Sequence, residues 1–227
     1  MSALEIAGVE RNEVSQSEPQ DGAVLAIDTA LGTSVALSTG DGRIVELTSE
    51  DPRGHIERIG ELIAAVFADA GVSPEQVTAV VMGVGPGPFT GLRVGMAAAQ
   101  AFAVGRGVPL LPLCSHDAVA LAALDGAGAQ AGVRVVQDAK RRELFITEYS
   151  GLDWAGVPER SADPHLIARA DLVSQQNDVV PAVVPARALI QLAARKLAGG
   201  GTFETERAMY LRAPDVKEPS APKRVVA

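Results

Sequence analysis

Residues 85–95 read GPGPFTGLRVG, and this stretch limits what the chain can fold into more than any other. Gly85, Pro86, Gly87, Pro88 and Gly91 stand too close together for a strand or helix interior, where proline lacks a donor and glycine is entropically costly. The segment must be a shaped loop. Before it, VTAVVMGV (77–84) is a short apolar run that predicts a buried parallel strand; after it, residues 92–100 open a helix. Thr90 stands where a hydroxyl can cap that helix. A strand, tight loop and helix in this order leave backbone N–H groups at a helix N-terminus, which is a physical basis for holding phosphate. The alternative is a structural loop that sets the strand-to-helix angle. The pattern GxxxxGK[ST] is not met, since the first lysine is Lys140, and GxGxxG fails because Thr90 takes the place of its third glycine.

From residue 23 the chain alternates strand and helix signals. Residues 23–28, 34–37 and 43–48 predict three strands, the last two joined by TGDG (39–42), a hairpin signal. A helix from His55 stops at Gly71 with Pro74 beyond it, and a further strand begins at Val108. A second set of strands spans 133–149, followed by a helix at 185–198. The expected fold class is α/β with two lobes of related topology, 23–113 and a smaller 114–216, the boundary near Leu113–His116. Residues 1–22, with five acids and a PQDG ending, read as a flexible leader, and 217–227 as a flexible tail.

The first helix carries Ile56, Ile59, Ile63, Val66 and Ala70 at steps of three and four, while Leu62 and Phe67 widen the stripe toward a second face. That is more apolar surface than a one-sided helix needs. The helix at 90–106 is apolar almost all round, interrupted mainly by Arg93, Gln100 and Arg106, and its Ala97–Ala99 run permits close helix approach. Either these faces pack inside their own lobe or they meet a partner.

With 227 residues and 47% hydrophobic content, the chain can form one large or two small domains. Its formal charge of −8 argues against a stand-alone RNA-binding surface. Lys140, Arg141 and Arg142 form a tight internal cluster that reads as a solvated turn. Cys114, the single cysteine, cannot form an intrachain disulfide; it sits in an apolar strand and suits a reducing compartment. No run reaches the ~18–20 apolar residues of a membrane span, and the N-terminus lacks a basic region followed by an apolar core, so the expected location is cytoplasmic.

Reactive constellations are equally sparse. No GxSxG elbow occurs, and Ser115, His116 and Asp117 do not make a triad, because adjacent residues point in different directions. His55, His116 and His165 show no i, i+4 pairing, and His116 reads as the start of a helix. Glu50–Asp51 and Glu204 with Glu206 lie in polar stretches that face water. No catalytic residue and no metal site is assigned.

GPGPFTGLRVG resembles the signature GPGSFTGLRIG of the TsaB (YeaZ) family, with Pro88 in place of the usual serine. In the same order, VLAIDTALGTSVALS (24–38) resembles that family's opening hairpin, HIERIGELI (55–63) its first helix, QDAKRRELF (137–145) its DARRGELY segment and YLRAPDV (210–216) its C-terminal YLR signature. The match runs over nearly everything after residue 22. It implies the two-lobed actin, hexokinase and Hsp70-like (ASKHA) fold, with a smaller, degenerate second lobe. In such folds a nucleotide lies between the lobes, and Asp28, followed by Thr29, occupies the place of a metal-linked aspartate. Here the hairpin reads TALGTS instead of a glycine-first grip and the second lobe is short, so the resemblance implies a degenerate ATP cleft and no intrinsic cofactor. Asp28 equally suits a turn or cap.

The resemblance further implies a non-catalytic subunit of the machinery that places threonylcarbamoyl on the adenosine next to the tRNA anticodon. Such a subunit acts with the catalytic TsaD and the ATPase TsaE, pairs with itself when alone, and meets tRNA only through the complex, with ATP or ADP at the junction between subunits. The HxxxH metal motif of TsaD lacks its second histidine here, Ala120 standing four residues after His116. The resemblance places His55, Ile56, Ile59, Ile63, Val66 and Arg93 at the partner surface, and makes Gly85, Gly87, Thr90, Gly91 and Gly95 the signature loop with its candidate phosphate contacts. Two rivals stand beside it: a small-molecule kinase or ATPase of the same superfamily, which needs an intact phosphate grip, and a metallopeptidase-like protein, which needs HxxxH or HExxH.

Overall fold

Six strands form the first sheet in the computed structural model, which describes residues 6–15, 22–51, 55–127 and 132–212. These are β1 (Glu10–Ser15), β2 (Ala23–Asp28), β3 (Thr33–Ser38), β4 (Arg43–Ser49), β5 (Val77–Gly83) and β6 (Leu110–Leu113), in the spatial order β1-β4-β3-β2-β5-β6. β5 runs parallel to both β2 and β6, and the rest of the sheet is antiparallel. Every residue of β2 and β3 is buried, so both faces of the sheet are covered. Leu25, Ile27, Leu37 and Leu47 are fully enclosed. Each such side chain contributes about 1.5–3 kcal/mol, more than the ~1–2 kcal/mol lost in ordering its backbone.

Helices α1 (His55–Ala70) and α2 (Phe89–Arg106) cover one face, α1 on β3 and β4, α2 on β5 and β2. Leu62, Ala65, Val66 and Phe67 form the inward stripe of α1, and Phe67 stacks on Phe102 of α2 with centroids 5.7 Å apart. Two further helices, α3 (Ser115–Ala127) and α4 (Ala186–Ala198), pack on each other between this sheet and a second one. The second sheet holds β7 (Val133–Asp138), β8 (Glu143–Leu152), β9 (Pro158–Ala168) and β10 (Asp178–Val179), ordered β10-β7-β8-β9. One hydrophobic cluster runs from the first sheet through α3 and α4 to Val133, Val135 and Tyr149 of the second.

The structure corrects four sequence expectations. Residues 10–15, assigned to a flexible leader, form β1 along the edge of β4; Arg11 Nε bonds Asp69 at 3.0 Å and Arg58 bonds the Ala7 carbonyl at 2.8 Å. The rest of that leader (1–5 and 16–21) and the tail at 217–227 lie outside the described residues. The helix at 186–198, assigned to the second lobe, docks on the first sheet instead: Ala186 N–H donates to Ser34 Oγ at 3.0 Å and Arg187 pairs with the buried Glu46 at 2.5 Å. Third, a strand, β9, follows the predicted run at 133–149; its prolines and charges mask its alternation, as an edge strand allows. Finally, Thr90 lies exposed inside α2, whose N-cap is Pro88, so the hydroxyl cap is not made.

Candidate functional site

At the end of β2, Asp28 is 1% exposed, and both carboxylate oxygens are committed. Oδ1 accepts the Ala30 N–H at 2.7 Å and Oδ2 accepts the Ser115 hydroxyl at 2.5 Å. Ser115 Oγ in turn accepts the Gly85 N–H at 3.0 Å, while the Ser115 N–H donates to the Gly85 carbonyl at 2.8 Å. The first residue of α3 therefore ties the β2 turn to the loop after β5. Burial raises Asp28 to about 6 from its usual 3.8, against the lowering effect of the bonds from Ser115 and Ala30.

His116, next on α3, is fully buried. Gln137 donates from Nε2 to the Ala30 carbonyl at 3.0 Å, which orients its amide and leaves Oε1 as the acceptor for His116 Nε2, also at 3.0 Å. Nδ1 then accepts the Thr147 hydroxyl at 2.7 Å. Both ring nitrogens are satisfied within the protein and burial pushes the imidazole down to about 4, so it is neutral at pH 7. Cys114, beside them, is buried and its thiol is held well above the ordinary range by that burial. The junction between the two sheets is thus filled by a connected polar network.

The signature loop is used in the same internal way. Thr29 Oγ1 donates to the Gly91 carbonyl at 2.6 Å and accepts the Gly95 N–H at 3.0 Å, pinning α2 to the β2 turn. Gly87 lies against Ala30, a Cβ there falling 2.8 Å from the Ala30 Cα. A Cβ on Gly95 would overlap Thr29 Oγ1, and one on Gly83 would overlap Asp28 Oδ2. Gly91 and Gly95 are helix residues and not parts of a loop, and Gly95 is kept small by the close approach of Thr29. Gly83→Ala is expected to cost about 3 kcal/mol, because overpacking adds to a displaced buried carboxylate. Chemical denaturation measures this, and a loss below 1 kcal/mol would show that the Asp28 pocket yields easily.

The residues placed at a partner surface do not stay together. Val66 is fully buried in the core, and Ile59 and Ile63 are half-buried against it, so that stripe is mainly internal. His55 and Ile56 open α1, and their side chains lie outside the described residues. Arg93 is exposed, its guanidinium 3.7 Å from the Phe89 ring centroid, and its Nε donates to the Tyr210 hydroxyl at 3.0 Å. The exposed residues of α1 and α2 include Gly60, Ala64 and Ala68 beside Glu61, and Ala97, Ala101 and Val104 beyond Arg93, Val104 being 82% exposed. Among the described residues, no helix is long and apolar enough to cross a membrane.

A family model described as TsaD: tRNA N6-adenosine threonylcarbamoyltransferase matches residues 46–183. Over 126 residues the chain is 35% identical to the tRNA threonylcarbamoyladenosine biosynthesis protein TsaB of Haemophilus influenzae, covering 55% of this chain and 52% of that one. The chain belongs to the TsaB (YeaZ) family. An uncharacterised protein of Mycobacterium tuberculosis is 38% identical over 162 residues, 69% of this chain and 70% of its own length. The solved structure of YeaZ from Pseudomonas aeruginosa shares the fold at a TM-score of 0.71 and 22% identity, covering 84% of this chain and all of that one. The chain spans about half the length of the Haemophilus TsaB.

For this TsaB-family chain, the sequence pointed to Asp28, Thr29 and the loop glycines but missed their partners. Ser115, Gln137 and Thr147 carry no motif of their own; Gln137 does open the QDAKRRELF segment, the one signal that could have drawn attention to it.

Proposed function

We propose that this chain is a non-catalytic subunit in the formation of threonylcarbamoyladenosine on tRNA, docking through the outer faces of α1 and α2 onto TsaD. TsaE joins that complex, ATP or ADP binds at the junction, and the same helices pair two copies when the chain is alone. The protein acts in the cytoplasm. The names of the relatives support the pathway. The observation that carries the docking role is the outward face of α1 and α2, where glycine and alanine let another helix pair approach closely. At Gly60 and Gly105 nothing stands within 4 Å of where a Cβ would be. Asp28 and His116, the residues nearest to chemistry in the sequence, spend their polar atoms on Ala30, Ser115, Gln137 and Thr147, which supports a subunit without a reaction centre of its own. The kinase reading would need Asp28 to face a metal-bound phosphate.

Ala101→Glu tests the docking face, because Ala101 is exposed and a carboxylate there costs the fold little. Between apposed helices the same unpaired charge costs about 3 kcal/mol, or two decades in affinity. The variant is expected to melt like the wild type, run as a monomer by light scattering and fail to retain TsaD in a pull-down. Undiminished TsaD binding would show that the docking face lies elsewhere.

A further inference from the structure

A groove of about 440 Å³ opens on the face of the first sheet that α1 and α2 leave uncovered. One wall is the β1–β4 pair, where Glu10 lies opposite Thr48 and Asn12 opposite Glu46, so these side chains share one face of the pleat with Glu50. The other wall is apolar. Val119, Ala122 and Ala123 form an i, i+3, i+4 stripe on α3, and residues 179–185 continue it. The two faces of β1–β4 differ in charge: toward α1, Arg11 pairs with Asp69 and Arg43 with Glu13. Among the described residues that line the groove, the only cation is Arg187, and the buried Glu46 holds it. Glu10 and Glu50 pair with no described cation.

Among the described residues, every sheet edge but one is blunted. On β6 the chain itself binds the edge, the Glu204 N–H donating to the Pro112 carbonyl at 3.0 Å. β9 carries Pro158 and Pro164 and shifts register against β8, and β10 is two residues long. β1 has neither proline nor bulge, pairs with β4 in unbroken register over all six residues, and has no described strand on its outer side. Such an edge offers a row of backbone donors and acceptors to a further strand. We propose that an extended basic segment of a partner protein adds to β1 as a seventh strand. Its lysine or arginine side chains meet Glu10 and Glu50, and their aliphatic stems lie along the α3 stripe. The two unpaired carboxylates select this occupant: they repel RNA and anionic lipid, and a second copy would bring its own Glu10 and a formal charge of −8 to the same edge. The groove uses neither α1 nor α2, so this inference stands apart from docking on TsaD and is testable on the isolated chain.

The probe is a fluorescein-labelled eight-residue peptide of alternating lysine and threonine, titrated with the full chain and read by anisotropy. At about 50 mM salt the expected dissociation constant is on the order of 10–100 μM, and at saturation the outward amides of β1 should exchange at least about fivefold more slowly. Glu10→Lys with Glu50→Lys should lower affinity at least about tenfold. A Glu10→Gln, Glu50→Gln pair repeats the test should charge reversal disturb folding, with melting temperature as the control. A peptide with proline in place of threonine keeps the charge but loses every second backbone donor, and it should bind at least about tenfold more weakly. Equal binding of the proline peptide, or its threonine counterpart displaced by equimolar spermidine, reduces the groove to a patch for polycations and overturns the proposal. So does binding unchanged in natively melting variants, or a wild-type dissociation constant above about 1 mM. Failure of the chain to bind TsaD leaves each of these measurements unaffected.

Discussion

Asp117→Ala is expected to destabilise the fold by about 3–5 kcal/mol, a large share of the ~5–15 kcal/mol that holds an ordinary domain together. Asp117 is 4% exposed in the first turn of α3. Its Oδ1 accepts the Tyr149 hydroxyl and Arg160 Nε, both at 2.8 Å, and its Oδ2 accepts Arg160 Nη2 at 2.7 Å. Burial, with Asp117 nearby, holds the Tyr149 phenol protonated, so it remains a donor. Arg160 also donates to Glu204 at 2.9 Å. One carboxylate therefore clamps α3 to β8 and β9, and its removal strands a largely enclosed guanidinium and a buried phenol. Asp117→Asn keeps the shape and one acceptor, so its cost should be distinctly smaller. Urea denaturation of both variants checks this ordering. A loss under 1 kcal/mol for the alanine variant would mean that Glu204 and water satisfy Arg160 unaided.

Asp28 and His116 should make opposite contributions to stability versus pH, which cancel in the wild type and appear when either is removed. Asp28 titrates near 6 in the native state and near 3.8 unfolded, so its contribution is complete below 3.8 and is lost as pH rises through 6. His116 titrates near 4 native and near 6.5 unfolded, so its contribution is present above 6.5 and is lost as pH falls through 4. Between pH 4 and 6 the native state carries a proton on Asp28 and none on His116, while the unfolded chain carries the reverse. The proton count is equal and the pair adds no slope. Relative to wild type, His116→Gln should gain stability as pH falls from 6 to 4, and Asp28→Asn should lose it from 6.5 to 4. Each change should approach about 3 kcal/mol across the window, at 1.36 kcal/mol per pH unit. Denaturation midpoints measured at half-unit steps test this, and difference curves that stay flat for both variants would refute it.

The elements were legible where their signals are local. The limits of α1 and the strand before the signature loop follow from apolar spacing and from glycine and proline punctuation within about ten residues, so the chain itself determines them. The family was legible for the same reason, in GPGPFTGLRVG and its ordered companions. β1 escaped notice because ERNEVS is charged on both faces, as an edge strand can be, and only pairing with β4 makes it a strand. The inward side of α1 was misjudged because Val66 and Ile59 are equally apolar. Which of them meets the sheet depends on where the helix comes to rest.

The site divides along the same line. Sequence alone determined that a strand-to-helix turn opens residues 85–95, with an aspartate and a threonine available at the end of β2; the structure confines that turn to the residues before Phe89, where α2 begins. Only the tertiary structure decided that Asp28 is closed by Ser115, 87 residues away, and that His116 is held by Gln137 and Thr147 from the second sheet. A buried polar group is defined by partners that desolvate and satisfy it, and those partners arrive from distant segments whose spacing along the chain carries no periodic signal.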